Sequence, residues 1–310
     1  QMVGQNAKNT AADIRSSTTE LVTVRDWHRY AVSKFSAAGL VFGHGTTNEF
    51  DEAAYLILAT LKLPIDTIDP WLDARLTAAE RDQVADIIAR RIETRKPAPY
   101  LTGEAWIGPY RFIVDERVIV PRSFIGELVI GGLDGMFESA QPAKRVLDLC
   151  TGSGCLAIML ADCFAEAQVV GADISEGALE VARANVAAHG LEDRVSLVKS
   201  DLFVALKGER FDLIASNPPY VSSAAVALFP PEYAAEPALA HAGGEDGLFF
   251  VRRILEEAGR HLNAGGSLVV EIGQGREKLE ALYPGVAFQW LDTELSEGEV
   301  FALLKEQLPC

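Results

Sequence analysis

The sequence is short of positive charge: 28 Lys and Arg stand against 44 Asp and Glu, a formal net charge of −16 at pH 7. A surface that acidic repels nucleic-acid backbones and attracts basic partners, which disfavours DNA as a partner. Cysteine is scarce. Cys150, Cys155, Cys163 and Cys310 lack paired metal-ligand spacing, so no metal is expected and the thiols read as buried in a reducing compartment. No apolar run approaches the length of a membrane span, and no basic stretch followed by an apolar one opens the chain. The expectation is a cytoplasmic protein without a membrane partner. Internal repeats and low-complexity segments are missing as well.

What is present is a chain of 310 residues, 49% hydrophobic and 23% charged, long enough for two domains of a globular protein. Residues 1–18 are polar and aperiodic, and disorder is expected there. Residues 19–98 read as a helical domain. Leu21, Val24, Trp27, Ala31, Phe35 and Ala38 recur at helical spacing, Asn48 with Asp51 can cap a second helix, and Thr77-Ala78-Ala79-Glu80 has the spacing of a capping box. Arg90, Arg91, Arg95 and Lys96 end that third helix. Such charges usually form a solvated last turn favoured by the helix dipole; contact with RNA is the alternative.

Residues 99–120 read as a linker holding a hairpin, with runs 104–107 and 110–114 on either side of Gly108-Pro109. From 121 to 310 strands and helices alternate, which predicts a parallel sheet covered on both faces, with binding at the carboxyl ends of its strands. The runs 286–291 and 300–304 have no helix between them and can pair antiparallel at the edge.

Two stretches carry the chemistry. Asn217-Pro218-Pro219-Tyr220 follows the strand-like run 211–216. Consecutive prolines fix φ twice and remove two donors, leaving a stiff turn rich in carbonyl acceptors. With the Asn217 amide and the flat Tyr220 ring, it suits the grip of a planar, NH2-bearing group. Upstream, Asp148-Leu149-Cys150-Thr151-Gly152-Ser153-Gly154-Cys155-Leu156-Ala157 places Gly-x-Gly-x-x-Ala between a strand and a helix, as a dinucleotide site would. Asp173, at the end of the next strand, is placed to accept ribose hydroxyls for either cofactor. Asp148 separates the two, since a carboxylate there would oppose a pyrophosphate but welcome the ammonium of a methionine moiety. Asp201 is placed to accept an adenine amino group, with Leu202 and Phe203 packing on the ring. These positions describe S-adenosylmethionine.

The combination resembles the class I methyltransferases that modify the side-chain amide of glutamine in translation proteins. Pro121-Arg122-Ser123-Phe124 with Glu127 stands where the release-factor branch has a Pro-Arg-Pro-type motif. It is similar to the branch acting on the third large-subunit ribosomal protein, as are Phe42-Gly43-His44-Gly45-Thr46, Asp51-Glu52-Ala53 and Ala98-Pro99-Tyr100-Leu101-Thr102. Phe124 departs from the proline usual in that branch. Leu202 replaces an aromatic seen in the release-factor group.

The resemblance implies a Rossmann-like α/β sheet with an antiparallel edge, beside a small helical domain that positions the substrate. It implies S-adenosylmethionine as donor, S-adenosylhomocysteine as product, and cofactor contacts from Asp148, Thr151, Gly152, Ser153, Gly154, Asp173, Ile174, Asp201, Leu202 and Asn217. Catalysis would fall to Asn217, Pro218, Pro219 and Tyr220, and substrate contacts to Phe112, Pro121, Arg122 and Glu127. The partner would be a basic ribosomal protein, free or in an assembly intermediate. Release-factor methylation, DNA adenine amino-methylation and a non-catalytic assembly scaffold are the alternatives.

Overall fold

The computed structural model describes residues 2–131 and 143–309. The chain divides into two units, Gln1–Glu104 with Pro230–Ala235, and Ala105–Phe229 with Glu236–Cys310. Residues 132–142 of the expected catalytic domain, and Cys310, lie outside the described residues.

The first unit is helical: α1 (Met2–Ser16), α2 (Val24–Ala37), α3 (Glu49–Thr60), α4 (Ala78–Thr94) and α5 (Ala98–Thr102). Local chemistry sets the starts of the longer ones. Thr23 and Thr77 each close a capping box, with Asp26 and Glu80, and the Asn48 side chain accepts from the Asp51 N–H. Trp27, Phe35, Leu56, Ile57 and Ile88 fill the core between these helices.

Two expectations fail here. Residues 2–16 form a helix where disorder was expected. The stripe that Ala7, Ala11 and Ile14 lay against the core is too small-sided to register as amphipathic in a polar stretch, and Arg15 donates to Asp86 and Glu93 on α4. Arg91 is not a solvated charge but fully buried. Its Nε donates to Glu52 Oε2 (2.8 Å) and its Nη2 to the Val41 carbonyl (3.0 Å). Its Nη1 reaches Glu232 Oε1 (3.5 Å), which also meets Arg95 Nε at 2.8 Å. Carboxylates from α3 and from Pro230–Ala235, a segment 141 positions further on, thus face the turn that the sequence alone leaves to solvent.

The second unit opens with the hairpin β1 (Glu104–Ile107) and β2 (Tyr110–Ile113). This is part of the second unit rather than a separate linker, because the Asn185 side chain bonds both backbone groups of Ile113. After α6 (Phe124–Ile130) come β3 (Arg145–Leu149), α7 (Cys155–Cys163), β4 (Gln168–Asp173), α8 (Glu176–Ala188), β5 (Val195–Lys199) and β6 (Phe211–Ser216). The short helix α9 (Ser223–Val226) and then α10 (Pro231–Ala234), which belongs to the first unit, precede α11 (Phe249–His261), β7 (Leu262–Glu271), α12 (Arg276–Leu282), β8 (Gln289–Leu291) and β9 (Val300–Leu304).

Apart from the β1–β2 hairpin, the strands of the described residues form one sheet in the order β5-β4-β3-β6-β7-β9-β8. Pairing is parallel from β5 through β7, and β9 runs antiparallel to both neighbours. The order reverses between β3 and β6, so the crevice at their carboxyl ends is the natural ligand position. Leu147, Leu149, Ile214, Leu268 and Phe301 are among the residues of its core. Cys163, expected among buried thiols, is exposed at the end of α7, whereas Cys150 and Cys155 are half-buried. Among the described residues no helix is long and apolar enough to cross a membrane.

Candidate active site

Register brings the site together. Leu149 pairs with Ala172 on one side and Ser216 on the other, so Cys150, Asp173 and Asn217 leave the sheet at one level. A cavity of about 120 Å³ opens there. Cys150 and Gly152 line it after β3, Asp173, Ile174 and Ser175 after β4, Ser200, Asp201 and Leu202 after β5, and Asn217 and Pro219 after β6. Two further walls come from Arg117–Ile119 and from Pro237, Leu239 and Ala240, with Phe250 of α11 alongside. Cys150 (φ 60°) and Leu202 (φ 47°) hold left-handed backbone conformations that non-glycine residues rarely adopt. Both lie on this cavity, as strained residues do at working sites.

The expected cofactor residues divide into two sets. Gly152, Asp173, Ile174, Asp201, Leu202 and Asn217 line the cavity, whereas Asp148, Thr151, Ser153 and Gly154 are not among its lining. Asp148 is buried, and its Oδ2 accepts from the Thr151 hydroxyl (2.6 Å) and the Ala157 N–H (3.0 Å), bracing the glycine turn against the first turn of α7. Its Oδ1 is buried with no donor among the described residues. Burial pushes the Asp148 carboxyl up to about 7 against the pull of those two bonds. Asp173 Oδ2 accepts from Gly152 N–H and its Oδ1 from Ser175 N–H, both at 2.9 Å; burial raises its carboxyl too. Asp201 Oδ1 pairs with Arg253 Nη1 at 2.9 Å.

Phe203 does not pack at the cavity. It is buried and stacks on His261, ring centroids 4.6 Å apart, because one step beyond Leu202 the side chain faces the core. Phe250, which the sequence reading passed over, supplies the aromatic wall. Phe112, expected as a substrate contact, is fully buried in the hairpin, against Tyr110 and His189.

The Asn-Pro-Pro-Tyr turn is gripped from several sides. Asn217 Nδ2 donates to the Arg122 carbonyl at 3.2 Å. A carbonyl only accepts, so the nitrogen end of the amide is committed and Oδ1 is left as an acceptor. The Tyr220 hydroxyl donates to Glu271 Oε1 (3.1 Å), while Glu271 Oε2 accepts from the Ser123 hydroxyl (2.9 Å) and the Phe124 N–H (3.0 Å). Burial lifts the Glu271 carboxyl to about 7, and burial together with Glu271 raises the Tyr220 phenol well above its ordinary range. Behind the turn, a Cβ on Gly247 would lie 2.4 Å from the Tyr220 carbonyl oxygen, and Gly247 has φ +81°, so only glycine fits.

Arg122 faces Glu236 rather than the cavity, with two bonds of 2.7 Å. Pro121 is buried and Glu127 is half-buried in the first turn of α6. Sequence reasoning missed Glu236, Arg253 and Glu271. The repeated glycines Gly243, Gly244 and Gly247 were the available signal for the loop behind the turn.

This topology, with a glycine turn after the first strand, acidic residues at the next strand ends and Asn-Pro-Pro-Tyr after the fourth, defines a class I methyltransferase. The family described as Methyltransferase small domain matches residues 133–229. The ribosomal protein uL3 glutamine methyltransferase of Neisseria meningitidis serogroup A is 53% identical over 289 residues, covering 93% of this chain and 95% of its own length. The proteins of that name from Bordetella pertussis and Burkholderia pseudomallei are 52% and 50% identical, over 93% and 95% of this chain and 97% and 98% of their own. The chain belongs to the family of ribosomal protein uL3 glutamine methyltransferases, and it is an enzyme.

Proposed function

We propose that this protein transfers a methyl group from S-adenosylmethionine to the side-chain amide nitrogen of a glutamine in ribosomal protein uL3. The observation that carries the reading is the fixed Asn217 amide on the cavity wall, its nitrogen bound to the Arg122 carbonyl and its oxygen left as an acceptor. The printed name of relatives at 50–53% identity supports the acceptor.

The residues present suit the donor. The undonated buried oxygen of Asp148 matches an ammonium group, Asp173 a pair of ribose hydroxyls, and Asp201 with Leu202 and Phe250 an adenine ring. When bound, S-adenosylmethionine supplies an electrophilic methyl group on a sulfonium. What remains for the chain is to make a poor nucleophile attack it. An amide nitrogen is weak because its lone pair is delocalised into the carbonyl. Asn217 Oδ1 and the Pro218 carbonyl accept its two N–H bonds, returning density to nitrogen and aiming the lone pair. Tyr220, held by Glu271, keeps the double-proline turn in place, and the apolar walls limit water. The nitrogen loses its proton during or after transfer, so no strong base is needed.

We assign positioning of the protein substrate to the helical unit. A net charge of −16 suits a basic ribosomal protein, free or in an assembly intermediate, and argues against DNA. Arg91 and Arg95, spent on buried carboxylates, weaken the case for RNA contact there. The test is incubation with labelled donor and, separately, uL3, a release factor and a DNA duplex. Label in uL3 alone is the expected result; label in the release factor or DNA would replace this acceptor, and binding without transfer would mark a scaffold.

A further inference from the structure

Glu236 takes no part in the reading above and does not line the cavity, yet it joins the two segments that form walls there. Its side chain is fully buried. Oε1 accepts from the Val120 N–H (2.8 Å) and from Arg122 Nη1 (2.7 Å). Oε2 accepts from Arg122 Nη2 (2.7 Å) and lies 2.9 Å from His241 Nε2. A carboxylate offers about four acceptor positions, and these N–H donors take three of them.

The donors mark where it acts. Val120 directly follows the cavity wall Arg117–Ile119, and Glu236 itself precedes the opposite wall of Pro237, Leu239 and Ala240, which His241 closes. Arg122, held by a bidentate pair, is the residue whose carbonyl takes the Asn217 amide. The His241 carbonyl in turn accepts from the Val221 N–H (2.9 Å), one residue beyond Tyr220. Charge-assisted, bidentate bonds of this kind fix geometry more firmly than neutral surface contacts.

We propose that Glu236 is a positioning residue for methyl transfer: one buried carboxylate clasps the two walls of the donor cavity to each other and, through Arg122, sets the orientation of the Asn217 amide. The proposal rests on the assignment of Asn217 above. It differs from a general packing role, because a clasp couples donor affinity and turnover through two identified partners, whereas lost packing lowers stability without regard to Asn217.

The test uses the full chain. Glu236→Gln keeps volume but turns one oxygen into an NH2 group, which cannot accept from Arg122 Nη2. Titration with S-adenosylhomocysteine, followed by calorimetry, should show binding weakened about tenfold. At saturating donor and uL3, kcat should fall about 30-fold or more, yet the same change on top of Asn217→Ala should cost less than about twofold. Arg122→Met, at a partly exposed site, should give the same non-additivity and serves if Glu236→Gln does not fold. Equal losses of kcat in both backgrounds, or unchanged S-adenosylhomocysteine affinity, would overturn the proposal. If the wild-type chain transfers nothing to uL3, the acceptor reading fails, and the S-adenosylhomocysteine titration still decides the clasp: weakened binding supports it and unchanged binding removes it.

Discussion

The side-chain nitrogen of Asn217 donates to the main-chain carbonyl of Arg122 across 95 positions of sequence, at 3.2 Å. Asn217 itself lines the cavity, and that bond engages the nitrogen end of the amide. It gives Arg122 a part in the site through its backbone, while its guanidinium is engaged elsewhere. The arrangement suits acceptance of N–H groups by the Asn217 oxygen, as the proposed amide acceptor requires.

Replacing Asn217 by Ala removes the oriented acceptor and leaves the acidic strand ends intact. We expect kcat to fall by about 100- to 1,000-fold while S-adenosylhomocysteine affinity changes by less than about threefold. Single-turnover rates with labelled donor, alongside calorimetric titration, measure both. Near-normal turnover would remove Asn217 from the mechanism.

If Asp148 meets the ammonium of the donor as proposed, donor binding depends on pH. Its folded carboxyl sits at about 7, above the ordinary 3.8, so the folded state holds a proton that the unfolded state has released between those values. Its contribution to stability is present at low pH and is lost as pH rises through about 7; from about pH 6 to about pH 8 the loss is about 1 kcal/mol. A bound ammonium favours the ionised form, so S-adenosylhomocysteine affinity should rise about tenfold over the same interval, with proton release. Asp148→Asn should flatten that dependence. Titrations in buffers of different ionisation enthalpy check it, and a wild-type affinity independent of pH would contradict the ammonium contact.

Arg91 holds the helical unit together from inside. Arg91→Ala leaves Glu52 buried without its main partner, and burial already pushes the Glu52 carboxyl upward. Removing one side of a buried pair costs about 3–5 kcal/mol. Urea unfolding followed by circular dichroism at neutral pH should show a loss of that size, and a loss under about 1 kcal/mol would mean the buried network is not what holds this unit.

Gly247 is where the Asn-Pro-Pro-Tyr turn and the loop behind it meet. Gly247→Ala would put a methyl 2.4 Å from the Tyr220 carbonyl oxygen at a φ of +81°. The turn must shift, and kcat should fall by at least about tenfold with a smaller change in donor affinity. Kinetics at saturating donor test this. Unchanged kcat would show that the turn tolerates displacement.

Much of the fold is legible in the residues. The alternation of strand-like and helical runs foretells the parallel sheet, the cap chemistry of Thr77 foretells the start of α4, and Asn217 sits where the run 211–216 says it should. The misses share a cause. Glu236, Glu271 and Arg253 act on partners 114, 148 and 52 positions away, and nothing local distinguishes a carboxylate that will clasp a distant loop from one that will face water. Arg91 was misread for the same reason. Phe112 and Phe203 were misplaced because a sequence shows which residues are aromatic but not which way each faces. The helix α1 escaped notice because alanines make a poor hydrophobic signal even when they pack.

The central claim is that a glutamine amide nitrogen accepts the methyl group. The direct measurement is tandem mass spectrometry of recombinant uL3 after incubation with S-adenosylmethionine and either the wild-type protein or its Asn217→Ala variant. The account predicts a gain of about 14 Da, one methylene, on a single glutamine side chain with the wild type and almost none with the variant. Methyl groups on lysine or arginine, or equal labelling by both proteins, would contradict it.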